Sequence, residues 1–252
     1  MIPSTRTFIL ALVTLAFLSA CSGGSSGGGG NSSIPVPVAT NAGGLWTGSS
    51  SAGGMSIYIE GIITEDGEGR FVDENGTQYI VTSISGTDGD IRINFNAYAQ
   101  FGYVFLNGST SGTGSITGTV REKSTFSGSF SFSTGESGTV SFDYDSLYDR
   151  DSSLANIEGQ WNEGFGTMVV DPDGSFFEQD QFGCVYNGQA SIINPTYNAF
   201  RLTMTVSSCG SENGSYQGLG VLADLNAVGD EDMLIVQMNS NALIFTTWLE
   251  RL

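Results

Sequence analysis

The chain has 252 residues, with 26 acidic and 8 basic side chains, no histidine and a formal charge of -18. Such acidity repels phosphate backbones and leaves no basic patch, which excludes nucleic acid as a partner. The missing histidine removes Ser-His-Asp and Cys-His catalysis and leaves zinc with carboxylate ligands alone.

The first residues carry one positive charge, Arg6, then a largely apolar run from Phe8 to Phe17, then small residues. That is the order of a secretory signal, and the run is about half the roughly 20 residues a spanning helix needs. The next four residues, Leu18-Ser19-Ala20-Cys21, resemble the lipobox of bacterial lipoproteins, in which cleavage before the cysteine leaves it as the lipidated first residue. The resemblance implies a signal peptide at 1–20 and a covalent lipid on Cys21, with enough acyl chains for permanent membrane anchoring. No other cofactor is expected. Ser22 in the following position implies sorting to the outer membrane, with the periplasmic or surface face left open. Loss of residues 1–20 removes Arg6 and no acid, so the formal charge moves from -18 to -19.

Residues 21–43 read as a disordered tether, rich in glycine and serine and then carrying Ile34-Pro35-Val36-Pro37-Val38. As flexible coil it would reach about 25 to 30 Å. In composition it is similar to the leaders of surface lipoproteins of the transferrin-binding protein B and factor H binding protein type.

Beyond the tether the polar half of the pattern is serine, threonine, asparagine and glycine. Charged residues are 13%, about half the usual share, while the 36 glycines are about twice it. Alternation is clearest in Ile91–Ala97, Phe126–Phe132 and Val140–Tyr144, each with one face to bury and one to wet. The turns Glu65-Asp66-Gly67, Glu74-Asn75-Gly76, Thr87-Asp88-Gly89 and Thr134-Gly135-Glu136 join neighbours into a meander of about eight strands between Leu45 and Tyr144.

Alternation stops at Tyr144–Asp151, and Ser152–Ile157 suits one capped helical turn. Gly159-Gln160-Trp161 then repeats Gly44-Leu45-Trp46, which places domains at 44–150 and 151–252. The second run has strands at 167–170, 175–179, 183–187, 189–193, 200–206, 216–223, 233–238 and 242–249, with a turn at Asp171–Gly174. Its last two segments are apolar enough to be covered on both faces. The expected fold is all-β, with two small antiparallel up-and-down β-barrel-like domains in tandem; a two-sheet sandwich or one larger β-structure are the alternatives.

A short helical turn leading into Gly-x-Trp on a first strand resembles the calycin group, lipocalins and avidins, in which the tryptophan plugs one barrel end. The resemblance implies Trp46 and Trp161 as plugs, and a basic residue packed over each, for which Arg121 and Arg251 are the candidates.

With Cys21 lipidated, Cys184 and Cys209 remain as an exported disulfide, closing a loop of about 25 residues and stabilising the fold by roughly 3 to 3.5 kcal/mol. Gly118 and Gly128 fall on apolar faces, where they either open a cavity or, as more strand glycines do, permit bending and close packing. The acids Asp143, Asp145, Asp149 and Asp151 are calcium candidates, although their spacing is not that of an EF-hand and a solvated connector explains them better. Asp171–Gly174 reads as turn chemistry and Asp230-Glu231-Asp232 as a charged loop. Glu60, Asp73, Glu74, Glu178 and Asp180 supply the carboxylates a glycoside hydrolase would need, with no spacing that marks a pair. The expected function is therefore non-enzymatic: a membrane-anchored lipoprotein presenting barrels to a protein partner or a small apolar ligand. A carboxylate-dependent glycan-active enzyme and a structural cell-envelope protein are the alternatives.

Overall fold

The computed structural model describes residues 42–87, 89–100, 102–225, 229–240 and 244–252. The residues expected as a signal peptide, Cys21 and those expected as a tether, up to residue 41, lie outside them. Alternating residues in the first half form β1 (Gly44–Ala52), β2 (Met55–Ile63), β3 (Gly69–Asp73), β4 (Gln78–Thr87), β5 (Asp90–Tyr98), β6 (Ser111–Arg121), β7 (Thr125–Phe132) and β8 (Ser137–Asp145). Each pairs antiparallel with the next, and β8 returns to β1, closing a barrel. In β5, Ile91, Ile93, Phe95 and Ala97 are buried while Arg92 and Asn94 face out, so the polar-apolar alternation becomes the barrel wall.

Asp145 then caps a short 3-10 turn at Ser146–Asp149, accepting from Leu147 N at 2.9 Å. Ser153 caps α1 (Leu154–Ile157), a single helical turn. A second closed barrel follows: β9 (Gly159–Asn162), β10 (Thr167–Val170), β11 (Ser175–Gln179), β12 (Val185–Ile192), β13 (Phe200–Ser207), β14 (Gly214–Ala223), β15 (Met233–Asn239) and β16 (Ile244–Arg251), with β16 pairing back to β9. The fold is therefore all-β, two eight-stranded antiparallel barrels in tandem.

One strand differs from the sequence expectation. The two segments expected on either side of Gly188 are a single strand, β12. A Cβ at Gly188 would lie 2.0 Å from the Phe176 ring, so this glycine makes room for an inward phenylalanine and marks no turn. The double covering expected of the last two strands is also redistributed. On β14 the outward Leu219 and Val221 are buried, whereas Trp248 on β16 is 43% exposed.

Both barrels belong to one compact unit. Ile62 of the first barrel packs with Tyr148, Ala199, Leu219 and Val221, and the Tyr148 and Tyr197 rings stack at 4.9 Å. The buried Asn198 amide ties the connector to the second barrel: its Nδ2 donates to Leu147 O at 3.2 Å and Leu222 O at 2.7 Å, while Oδ1 accepts from Leu222 N at 3.0 Å. Contacts run in the same sense along both barrels. Asp66 and Glu68, at the Trp46 end, meet Arg201 at 2.6 and 3.2 Å, and Gln78, at the opposite end, donates to Thr246. The tryptophan ends of the barrels thus lie on the same side.

The interface buries one arginine poorly. Arg70 is almost wholly covered, its only ion pair is a 3.6 Å contact with Glu68, and Nε and Nη1 have no hydrogen-bond partner among the described residues. Burial pushes its pKa below the ordinary arginine value. A buried guanidinium so incompletely paired offsets little of its desolvation cost. Arg70→Met is therefore expected to leave stability unchanged or raise it, by up to about 2 kcal/mol, read as the midpoint of urea unfolding.

Candidate functional site

Each barrel is closed at one end by the same device. Trp46 and Trp161 have no exposed surface, and each indole N–H donates to the carbonyl four residues upstream, Ala42 at 3.0 Å and Ile157 at 2.8 Å. The covering differs. Arg251 lies 4.3 Å from the Trp161 ring centre and donates to Glu158 O at 2.9 Å and to Asn156 O. Arg121 does not reach Trp46: Val120 takes the inward position of β6, which turns Arg121 out to solvent. Tyr144 and Phe126 meet Trp46 edge-on instead, at 5.6 and 6.2 Å.

The opposite ends are unlike. In the second barrel, Met168, Met204 and Met238 with Phe176, Leu202 and Leu234 fill the lumen and leave about 40 Å³. Unbranched methionines adapt to irregular gaps, so the fill is nearly complete. In the first barrel the residues beyond Trp46 leave a cavity of about 630 Å³, within the usual range for small-molecule sites. Its walls carry Phe71, Tyr79, Phe95, Phe130, Phe132 and Phe142, rings that meet one another at 5.2 to 5.9 Å. Small inward residues, Ser50 and Ala52 on β1 and Ala99 after β5, leave the upper lumen open. The segment between β5 and β6 brings Tyr103, Val104 and Leu106 to the rim, where Leu106 is 79% exposed and Met55 across the mouth 71%.

Gly118 and Gly128, expected either to open a cavity or to bend the strands, face each other across β6 and β7. Added Cβ atoms would strike Ser127 O at 2.0 Å and Thr117 O at 2.6 Å, so the pair permits close backbone approach. Neither lines the cavity.

Two carboxylates belong to the cavity. Asp73, 7% exposed, accepts from Asn75 N and Thr77 N at 2.9 Å and from the Tyr79 hydroxyl at 2.8 Å. Burial raises its pKa against the lowering effect of those bonds. Glu136 accepts from Leu106 N at 2.6 Å and from the Thr134 hydroxyl, and these bonds outweigh burial to lower its pKa. Glu136 thereby fastens the rim loop that carries Leu106.

The remaining candidate acids are dispersed. Glu60 meets the Tyr58 hydroxyl at 3.4 Å, away from the cavity lining, and Glu74 lies in the turn after β3. Asp149 takes Lys123 at 2.6 Å and Tyr144 at 2.9 Å, Asp145 caps the 3-10 turn, and Asp143 and Asp151 are exposed. Among the described residues no group of three or more His, Cys, Asp or Glu is arranged to hold a metal ion. Asp173 accepts from Ser175 N at 2.9 Å within its turn.

Glu178 and Asp180 are brought to the open end of the second barrel, where they meet Glu163, an acid outside the expected set. Glu178 is nearly fully buried, and its pKa is pushed up to about 7, first by burial and then by the charges of Glu163 and Asp180. Burial also raises Glu163, which accepts from the Thr247 hydroxyl at 3.3 Å. Glu178 is the most deeply buried of the three acids, and Glu178 Oε1 has no hydrogen-bond partner among the described residues. Beside them Cys184 and Cys209 form a disulfide with a Cα–Cα distance of 4.6 Å.

Compared with known protein families, curated proteins and solved structures, the chain matches none.

The proton on Glu178 sets a pH dependence. Its folded pKa of about 7 lies above the ordinary 4.5, so its contribution is fully present below 4.5 and is lost as pH rises towards about 7. The melting temperature should fall across that window, and Glu178→Gln should flatten the fall; equal slopes in the two proteins would show that Glu178 stays ionised.

Proposed function

We propose that this chain is a lipid-anchored envelope lipoprotein whose first barrel holds a small apolar ligand, without catalysis. The observation that carries this reading is the contrast between two barrels of one design: about 40 Å³ free in one lumen and about 630 Å³ in the other. A void that size forfeits packing, so keeping it open needs a compensating use. Its aromatic wall and apolar rim suit a hydrophobic occupant.

The lipobox-like Leu18-Ser19-Ala20-Cys21 and the tether support an anchored module at the outer membrane. Kinship with the calycin group is part of the proposal, supported by the Gly-x-Trp strands and by Arg251 over Trp161. The non-catalytic reading is supported by the absence of histidine and by the pairing of the later cysteines.

Two measurements test the function. N-phenyl-1-naphthylamine, an uncharged fluorophore, should brighten on binding the protein, and Ile116→Trp, which fills the lumen, should abolish the signal without lowering the melting temperature by more than a few degrees. No brightening in the native chain sinks the cavity reading. Separately, Cys21→Ser should move the protein from the membrane fraction to the soluble one; unchanged fractionation removes the anchor.

A further inference from the structure

The charges around the first cavity say which head group its occupant carries. The cavity lining holds two acids, Asp73 and Glu136, and no basic residue. The chain has 8 basic residues. Arg6 precedes the described residues, and the other seven are committed elsewhere. Arg70 lies buried beside Glu68, and Arg92 bonds Asn94 and Ser115 on the outer wall. Arg121 and Lys123 belong to the closed end, where Lys123 pairs with Asp149. Arg150 holds Asp224 through Nη1 and Nη2, Arg201 holds Asp66 and Glu68, and Arg251 covers Trp161.

An anionic head drawn into this lumen would meet two carboxylates, an overall charge of -18 and no cation. In a partly desolvated site such repulsion is worth far more than in water. A positive head would meet the same carboxylates with favourable sign, and also the faces of aromatic rings, whose quadrupoles attract cations. The oxygens of Asp73 and Glu136 are held in place by hydrogen bonds from Tyr79, Thr134 and backbone N–H groups, so the acceptors need no rearrangement when a ligand arrives.

Resting on the proposed cavity function, we infer that the first barrel selects an amphiphile with a cationic head and an apolar tail, and rejects the carboxylate of the same tail. Carboxylic lipids are thereby the class it turns away.

The test uses three probes with one tail: dodecyltrimethylammonium, dodecanol and dodecanoate. Each competes with N-phenyl-1-naphthylamine for the chain lacking its signal peptide and carrying Cys21→Ser, below micelle thresholds and at physiological salt. The ammonium should bind at least about tenfold tighter than the carboxylate, with the alcohol between. Glu136→Gln should narrow that ratio, and Ile116→Trp should remove ammonium binding altogether. Dodecanoate binding as tightly as the ammonium, or the alcohol matching it, overturns the inference. So does ammonium binding that survives Ile116→Trp, since it would then report the acidic surface, or a ratio unmoved in both Glu136→Gln and Asp73→Asn. If the fluorophore binds but the selectivity is absent, only the head-group inference fails; if neither the fluorophore nor any tail binds, the cavity function fails with it.

Discussion

The architecture depends on one hydrogen bond made twice, from a buried indole N–H to the carbonyl four residues before it, Trp46 to Ala42 and Trp161 to Ile157. A tryptophan can be fully buried at low cost only if its single donor is satisfied, and a carbonyl on the entering chain supplies that partner. The bond therefore fixes two things together: the ring seals the barrel end, and the segment before the first strand is folded back beneath it. In the second barrel Arg251 repeats the logic from the last strand, lying on the ring while donating to the carbonyls of the helical turn.

From that shared base the barrels diverge through side-chain flexibility. The second is filled by methionine and branched aliphatics, which conform to whatever volume is left. The first relies on phenylalanines, whose flat rings meet edge to face and cannot close the upper lumen. The first barrel leaves open the volume that the second fills, and the inter-barrel cluster around Tyr148 joins the two.

The barrels were legible because strand alternation and the repeated Gly-x-Trp are local patterns. The cavity was not, because it is set by how inward residues from eight strands add up. One wall also hides from a period-two reading: β4 slips register between Val81 and Ser83, so Tyr79 and Ile84, both packed into the core, fall on opposite sequence parities. Glu163 escaped because its partner Glu178 is fifteen positions away, on another strand. The loop Tyr103-Val104-Phe105-Leu106 carried a usable signal, since an apolar run in a hairpin connection has no reason to be there unless it meets something apolar. Gly188 shows the reverse error, a glycine taken for a break when its lack of a side chain accommodates Phe176.

The polypeptide enters the first barrel at Ala42, under Trp46, and leaves the second at Leu252, whose N–H donates to Gln160 O beside Trp161. Both points of covalent attachment are thus at the sealed ends, and the sealed ends share one side of the molecule. Among the described residues, Ala42 and Leu252 both lie on the side away from the wide aromatic opening. A dye, a bead or a fused domain joined at Ala42 or Leu252 would sit across the molecule from that opening.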